Sequence, residues 1–290
     1  MAVKVIADST SYISRDLRRE LDIGVVGLYS LLEGVTYQDD SEDYEPFYTA
    51  LASAKEMPTT SQPSVADMVE LMEERVTAGH DVVGVFISAK MSGTFETAQM
   101  ARTMVLEHHP DAVIELVDGR SNSMELGYAV LAAAEAAAAG ESVEGVAAAT
   151  RAMTEHTRFL FVPATLEYLR RGGRIGNASA LIGSLLQITP ILTVVDGQTD
   201  VFAKVRTQKR ALTTIVDAFA ADVDEKGGLG EVVVHHIHDE EAGRALAERI
   251  SAVARQVVSI CPIGPAIGAH VGPGAVAVVY YTREPMRKSG

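Results

Sequence analysis

The stretch VVGVFISAKMSGT, residues 82–94, decides the fold. Val82 to Ile87 reads as a strong strand, because it is an apolar run of strand length bounded by polar residues. Ser88 to Gly93 is a small, polar loop, and a helix is expected from about Thr94 to Glu107. Strand, polar loop, helix is the repeating unit of a parallel sheet with helices on its faces. The same rhythm lies on either side. Upstream, Val3 to Ala7 runs as a buried strand into Asp8-Ser9-Thr10, and Ile23 to Ser30 is a second strand candidate. Downstream, Val113 to Val117 ends in Asp118, and alanine-rich helices are expected over Met124 to Ala139 and Val143 to Met153, separated by Gly140.

The segment joining these units carries its own signals. Asp39 to Asp43 is an acidic loop before a weak helix around Pro46 to Ala52. It lacks the glycine and glutamate spacing of a calcium loop and reads as a solvated turn. Pro58-Thr59-Thr60-Ser61-Gln62-Pro63-Ser64 is a loop by its two prolines and intervening hydroxyls. Ser64 and Asp67 fit a capping box. Val65, Met68, Val69, Met72 and Val76 follow at helical spacing, and Gly79 suits the end of that helix.

Past His156 the texture changes. Phe159 to Pro163 reads as a strand, a helix around Leu166 to Arg170 enters Arg171-Gly172-Gly173-Arg174-Ile175-Gly176, and Asp196-Gly197 joins Ile191–Val195 to Val201–Val205 as a hairpin. Further strands are expected at Glu231–Ile237, Val257–Ile260 and Ala275–Tyr281, with helices near Lys209–Ala220 and Glu240–Val253. A hairpin mixed with strand–helix units implies a mixed sheet. The expectation is therefore two α/β domains, 1–155 with a mostly parallel sheet covered on both faces and 156–290 with a mixed sheet, and a ligand cleft between them.

Composition bounds the function. The 290 residues are 47% hydrophobic and 22% charged, a globular balance, and the net charge of −14 argues against a nucleic-acid groove or a strong footprint on anionic membranes. No apolar run approaches the roughly 18 residues of a membrane span, and MAVKVIADSTSY holds no apolar signal core, so a cytoplasmic chain with at most transient membrane contact is expected. The single cysteine, Cys261, excludes an internal disulfide, suits a reducing compartment and has no motif neighbours that would make it a nucleophile.

The chemistry-bearing residues are few. Thr60 and Ser61 stand before one expected helix and Ser92 before another, where unpaired backbone N–H groups favour anions. Each hydroxyl also suits a plain helix cap. Arg174 adds a cation among glycines and is also a natural surface ion-pair residue. His270 lies in Ile267-Gly268-Ala269-His270-Val271-Gly272-Pro273-Gly274, with room beside it, and a structural histidine fits there too. In His235-His236-Ile237-His238-Asp239, a continuous strand would put His236 and His238 on one face, a zinc possibility with Asp239. The hydrolase elbow, nucleotide-binding and zinc-protease motifs are absent, although Ser92 with His270 raises a Ser–His hydrolase or acyltransferase as the alternative.

Taken together, these segments resemble the DegV family of fatty-acid-binding proteins. The resemblance runs in order through Asp8-Ser9-Thr10, Thr60-Ser61-Gln62-Pro63-Ser64, Ser92-Gly93-Thr94, Leu166 to Gly176, Pro190-Ile191-Leu192, Val205-Arg206-Thr207 and Ile267 to Gly274. It implies a two-domain α/β fold with a long-chain fatty acid in an interdomain tunnel. It also implies a carboxylate held at Thr60, Ser61, Ser92 and His270 with Arg174 nearby, and a carrier rather than a catalyst, with no cofactor or metal. Candidate tail-lining residues are Leu28, Phe95, Ile182, Leu186 and Ile267. The resemblance further implies a fatty acid kinase as partner, converting the bound carboxylate to an acyl phosphate for phospholipid synthesis. Two positions depart from the family pattern: Thr189 stands where lysine is frequent, and Asn177 where a basic residue is frequent.

Elementary energetics agree with this assignment. Burying a tail of about fifteen carbons at about 0.8 kcal/mol per methylene yields on the order of 10 kcal/mol gross, part of it cancelled by lost freedom. The head group is the costly end, since an ionised carboxylate leaves water only where donors surround it. Hydroxyls, an imidazole N–H and a guanidinium are such donors.

Overall fold

In the strand Val3–Asp8, alternate side chains enter two different cores. Val3, Val5 and Ala7 pack with Val83, Val85 and Val117 on one face. Ile6 packs with Val82, Phe86, Ile114 and Leu116 on the other. This is the period-two geometry of a strand buried on both sides. A computed structural model describes residues 2–182 and 188–286 of the chain.

Four parallel strands form this first sheet, in the spatial order Gly24–Val26, Val3–Asp8, Asp81–Phe86, Ile114–Asp118. One face is covered by the helices Val65–Thr77 and Thr94–His108 through Met68, Met72, Ala98, Ala101 and Val105. The other is covered by Ser123–Ala138 and Val143–His156 through Leu126, Val130, Ala133, Val143 and Val146. Each fully buried aliphatic side chain contributes about 1.5–3 kcal/mol. The helix starting at Val65 is capped as its sequence demands: the Asp67 N–H donates to Ser64 Oγ at 3.0 Å.

The second sheet has six strands in the order Gln198–Val205, Thr189–Val195, Thr157–Val162, Val276–Thr282, Leu229–His236, Ser259–Pro262. It is mixed, with Leu229–His236 parallel to Ser259–Pro262 and antiparallel to Val276–Thr282. The hairpin at Asp196-Gly197 is present, both residues having positive φ (49° and 79°) as a tight hairpin turn requires. Leu160, Val162, Ile191, Val232, Val234, Val276 and Val278 meet the helices Gln208–Glu225 and Glu240–Ala254 through Ala211, Ile215, Phe219, Leu246 and Ile250. Within this core Asp222 accepts from the Tyr280 hydroxyl at 2.6 Å and pairs with Arg158 Nε at 2.7 Å. The α/β class, with one parallel and one mixed sheet, is as the sequence predicts.

The chain divides into two compact units, and the division is more interleaved than a cut at 155/156. One unit comprises 1–29, 38–40 and 60–154, the other 30–37, 41–59 and 155–290. Residues 41–59 join the C-terminal unit because the helix Glu45–Ser53 packs there: the Tyr48 hydroxyl reaches the Ile263 carbonyl at 2.7 Å, and its ring stacks on His238 with centroids 5.2 Å apart. Two local expectations also change. The single strand expected at Ile23–Ser30 is two, Gly24–Val26 and Tyr29–Leu32, with Gly27-Leu28 between them. The last edge strand lies at Ser259–Pro262 rather than 257–260. Residues 265–271, to which the sequence reading assigns no element, form a helix.

Candidate functional site

In the first unit Thr60 and Ser61 lie on a short strand, Thr59–Ser61, not at the helix start, and Ser64 is the cap. Thr60 is half-buried and Ser61 exposed. Ser92 is half-buried at the turn before Thr94–His108; its Oγ is 2.9 Å from Thr94 Oγ1 and accepts from the Thr94 N–H at 3.3 Å. The two hydroxyl segments are tied by a residue that was not singled out from the sequence. Gln62 donates through Nε2 to Thr97 Oγ1 at 3.1 Å, and its amide lies across Gly93, where a Cβ would stand 2.4 Å from Gln62 Oε1.

In the second unit the structure brings Arg174 and His270 together. The short helix Glu167–Arg171 ends at Gly172-Gly173, and Arg174 Nη1 donates back to the Gly172 carbonyl at 2.8 Å. Gly172 abuts the imidazole: a Cβ there would stand 2.3 Å from His270 Nδ1. Burial, and then the nearby Arg174 charge, push the His270 pKa down to about 4. At neutral pH the ring is therefore uncharged and offers one N–H, while Arg174 supplies the positive charge. A neutral imidazole beside a guanidinium is a combination that suits an anionic oxygen.

The expected tail-lining residues fall into different settings. Leu28 is buried, Phe95 packs against the core around Met68 and Phe86, Ile267 is half-buried, and Ile182 is 46% exposed. Leu186 lies outside the described residues.

The zinc possibility fails on geometry. The strand ends at His236, so His238 does not share a face with it. His238 adopts a left-handed φ of 49°, stacks on Tyr48 and faces Glu45 Oε2 at 3.4 Å. The His236 ring accepts from the Asp239 N–H, and Asp239 caps the next helix through Ala242. His235 is buried beside the Cys261 carbonyl at 3.0 Å, with a pKa near 4. Among the described residues no group of three or more His, Cys, Asp or Glu side chains is arranged to hold a metal. Burial raises the Cys261 thiol to about 11, so it is protonated at neutral pH and a poor nucleophile. No helix among the described residues is long and apolar enough to cross a membrane.

A parallel four-stranded sheet and a mixed six-stranded sheet define an α/β protein. The chain belongs to the DegV family, whose sequence profile, described as an uncharacterised protein family, matches residues 2–283. A DegV domain-containing protein of Clostridium acetobutylicum is 47% identical over 287 residues, covering 99% of this chain and 100% of that one. Among solved structures, a DegV family protein of Thermus thermophilus, described by its fatty acid binding, superposes with a TM-score of 0.85 at 33% identity, covering 97% of this chain and 100% of that one. DegV of Bacillus subtilis, described as a fatty acid binding protein, superposes with a TM-score of 0.84 at 30% identity over 98% and 100% of the two chains.

Proposed function

We propose that this chain binds one long-chain fatty acid non-covalently, its carboxylate met by Thr60, Ser61, Ser92, Arg174 and His270. The observation that carries this reading is the whole-length likeness to the Thermus thermophilus and Bacillus subtilis proteins, both described as fatty-acid-binding. The pairing of a neutral imidazole with a guanidinium supports it, because an acyl carboxylate needs directed donors and one positive charge.

The direct test is mass spectrometry of an organic extract of the purified protein, followed by titration of delipidated protein with oleate. One acyl chain per protein and saturable oleate binding are expected; an empty extract together with no oleate uptake overturns the reading. Ser92→Ala is expected to weaken oleate binding by about 1–3 kcal/mol, since its hydroxyl would satisfy a charged oxygen. An unchanged affinity removes Ser92 from the site. Hydrolysis of activated esters, abolished by the same substitution, would favour the Ser92–His270 hydrolase instead.

The finer part of the proposal is presentation of the carboxylate to a fatty acid kinase, which transfers a phosphoryl group from ATP to form the acyl phosphate. The family resemblance supports it. Asn177 is neutral and committed to Asp200 at 2.8 Å, so docking there would proceed without the basic residue frequent at that position. Trapping of acyl phosphate as a hydroxamate, with loaded protein, kinase and ATP, tests this step apart from binding.

A further inference from the structure

The helix that carries His270, Pro265–Val271, has seven residues. That is far too short to hold its shape alone, since isolated helices below about 12 residues are marginal. Its start has no side-chain cap: the N-cap is Gly264, which makes no side-chain capping bond, although proline at the first position presets the backbone there. Its place is therefore set by what grips it from outside.

Three contacts do so, all within the second unit. At the far end the Tyr168 ring lies against Gly272, where a Cβ would stand 2.3 Å from Cδ2. Beneath the imidazole lies Gly172. At the near end is Tyr48, more than two hundred residues away in sequence. Its hydroxyl donates to the Ile263 carbonyl at 2.7 Å and lies 3.2 Å from the Gly264 carbonyl, the two carbonyls that lead into the helix. The same hydroxyl fills the hollow at Gly268, where a Cβ would stand 2.1 Å from it. Gly268 is two residues from His270, and its N–H donates to the Gly264 carbonyl at 2.9 Å. Tyr48 is itself firmly held. It is 3% exposed, stacked on His238 at an interplanar angle of 19°, and edged by Phe47 at 5.1 Å.

We propose that Tyr48 is a positioning residue for His270: its hydroxyl sets the entry of the helix Pro265–Val271 and thereby the placement of the imidazole. The proposal rests on the reading that His270 meets the carboxylate. A hydrogen bond tolerates only a few tenths of an ångström in its length, so a small slip of this helix is enough to weaken a directed bond from its imidazole.

Tyr48→Phe tests it, since the ring and its stacking remain and only the hydroxyl is lost. The expected result is a roughly tenfold rise in the Kd for oleate, the loss of one hydrogen bond's worth of placement. The His270 imidazole signal, identified in histidine-labelled protein by its absence in His270→Gln, is expected to move, and the ring's acid titration to rise toward the ordinary histidine value. Tyr37→Phe is the control. Tyr37 meets Phe47 edge-on at 5.3 Å, and its variant is expected to leave both readouts unchanged. A His270 signal unmoved in Tyr48→Phe overturns the proposal, as does an oleate affinity of Tyr48→Phe equal to that of a wild type that binds oleate. If the wild type binds no oleate but the His270 signal still moves, the positioning role stands and the fatty-acid reading fails.

Discussion

The two units bury polar groups of opposite kinds. In the first, the carboxylates of Asp8 and Asp39 sit at the carboxyl edge of the parallel sheet. Asp8 accepts from the Thr10 N–H, the Thr10 hydroxyl and the Ile87 N–H, at 2.9, 2.5 and 2.7 Å. Asp39 accepts from Ser9 and Tyr12, and Glu125 from Ser121. In the second unit the polar groups withdrawn from water include the buried imidazole of His235, the half-buried imidazole of His270 and the half-buried acid Asp222, which has a cationic partner. The first unit meets Asp8, Asp39 and Glu125 with neutral donors; in the second, burial keeps His235 and His270 uncharged at neutral pH, and Asp222 is paired with Arg158. Burial raises the Asp8 carboxyl despite three donors that pull it down, and it lowers both imidazoles. Desolvation disfavours the charged form in each case, so the two regions answer acid in opposite directions.

The largest expected effect tests how each region holds its acid. Asp222→Ala strips Arg158 and the Tyr280 hydroxyl of their shared partner while the Arg158 side chain is only 13% exposed. An unpaired buried cation costs about 3–5 kcal/mol. Asp8→Asn leaves no charge behind but turns an amide toward donors, at about 1–3 kcal/mol. Urea unfolding of both variants checks the ranking. A costlier Asp8→Asn would break the comparison, making the neutral-donor cradle the more demanding of the two.

Next comes the response to pH. An unfolded histidine takes its proton near 6.5, whereas folded His235 and His270 take theirs only near 4. Between those values the unfolded chain binds more protons, so the histidine contribution to stability is complete above about 6.5 and is lost as pH falls toward 4. The slope is about 1.4 kcal/mol per pH unit for each such group. Asp8 acts in the other sense, because the folded form holds its proton more readily than the unfolded one. His270→Gln is expected to flatten the stability–pH curve between 6.5 and 4 by one histidine's share. A curve parallel to wild type would mean that His270 is solvated in the folded protein.

How much of this was legible beforehand differs by region for a physical reason. The parallel sheet declared itself because strands buried on both faces must be apolar throughout, as Val82 to Phe86 are. The Asp196-Gly197 hairpin and the Ser64 cap were legible because both are local backbone requirements. The attachment of 41–59 to the C-terminal unit was not, because it rests on Tyr48 meeting Ile263 and His238, pairings with no periodic trace in the chain. The helix Pro265–Val271 carried no helical signal for a related reason: its glycines read only as room, whereas Gly268 and Gly272 are spaces filled by Tyr48 and Tyr168. Gln62 escaped notice because an exposed amide between hydroxyls and proline carries no signal until Gly93 is seen beneath it.

The smallest expected effect separates two roles that share one short stretch of sequence. Ser61 and Ser64 lie three residues apart and look alike in sequence, yet only Ser64 accepts from a helix N–H. Removing a serine cap costs about 1 kcal/mol. Ser64→Ala is therefore expected to lower the melting temperature by about 2–4 °C while leaving oleate affinity intact. Ser61 is exposed, so Ser61→Ala is expected to leave the melting temperature of delipidated protein unchanged and to raise the oleate Kd. Calorimetric melting and oleate titration on the pair give two independent readings per variant. If Ser64→Ala weakened binding as much as Ser61→Ala, the helix start itself would belong to the anion site; if Ser61→Ala changed neither quantity, the first unit's contribution would narrow to Thr60 and Ser92.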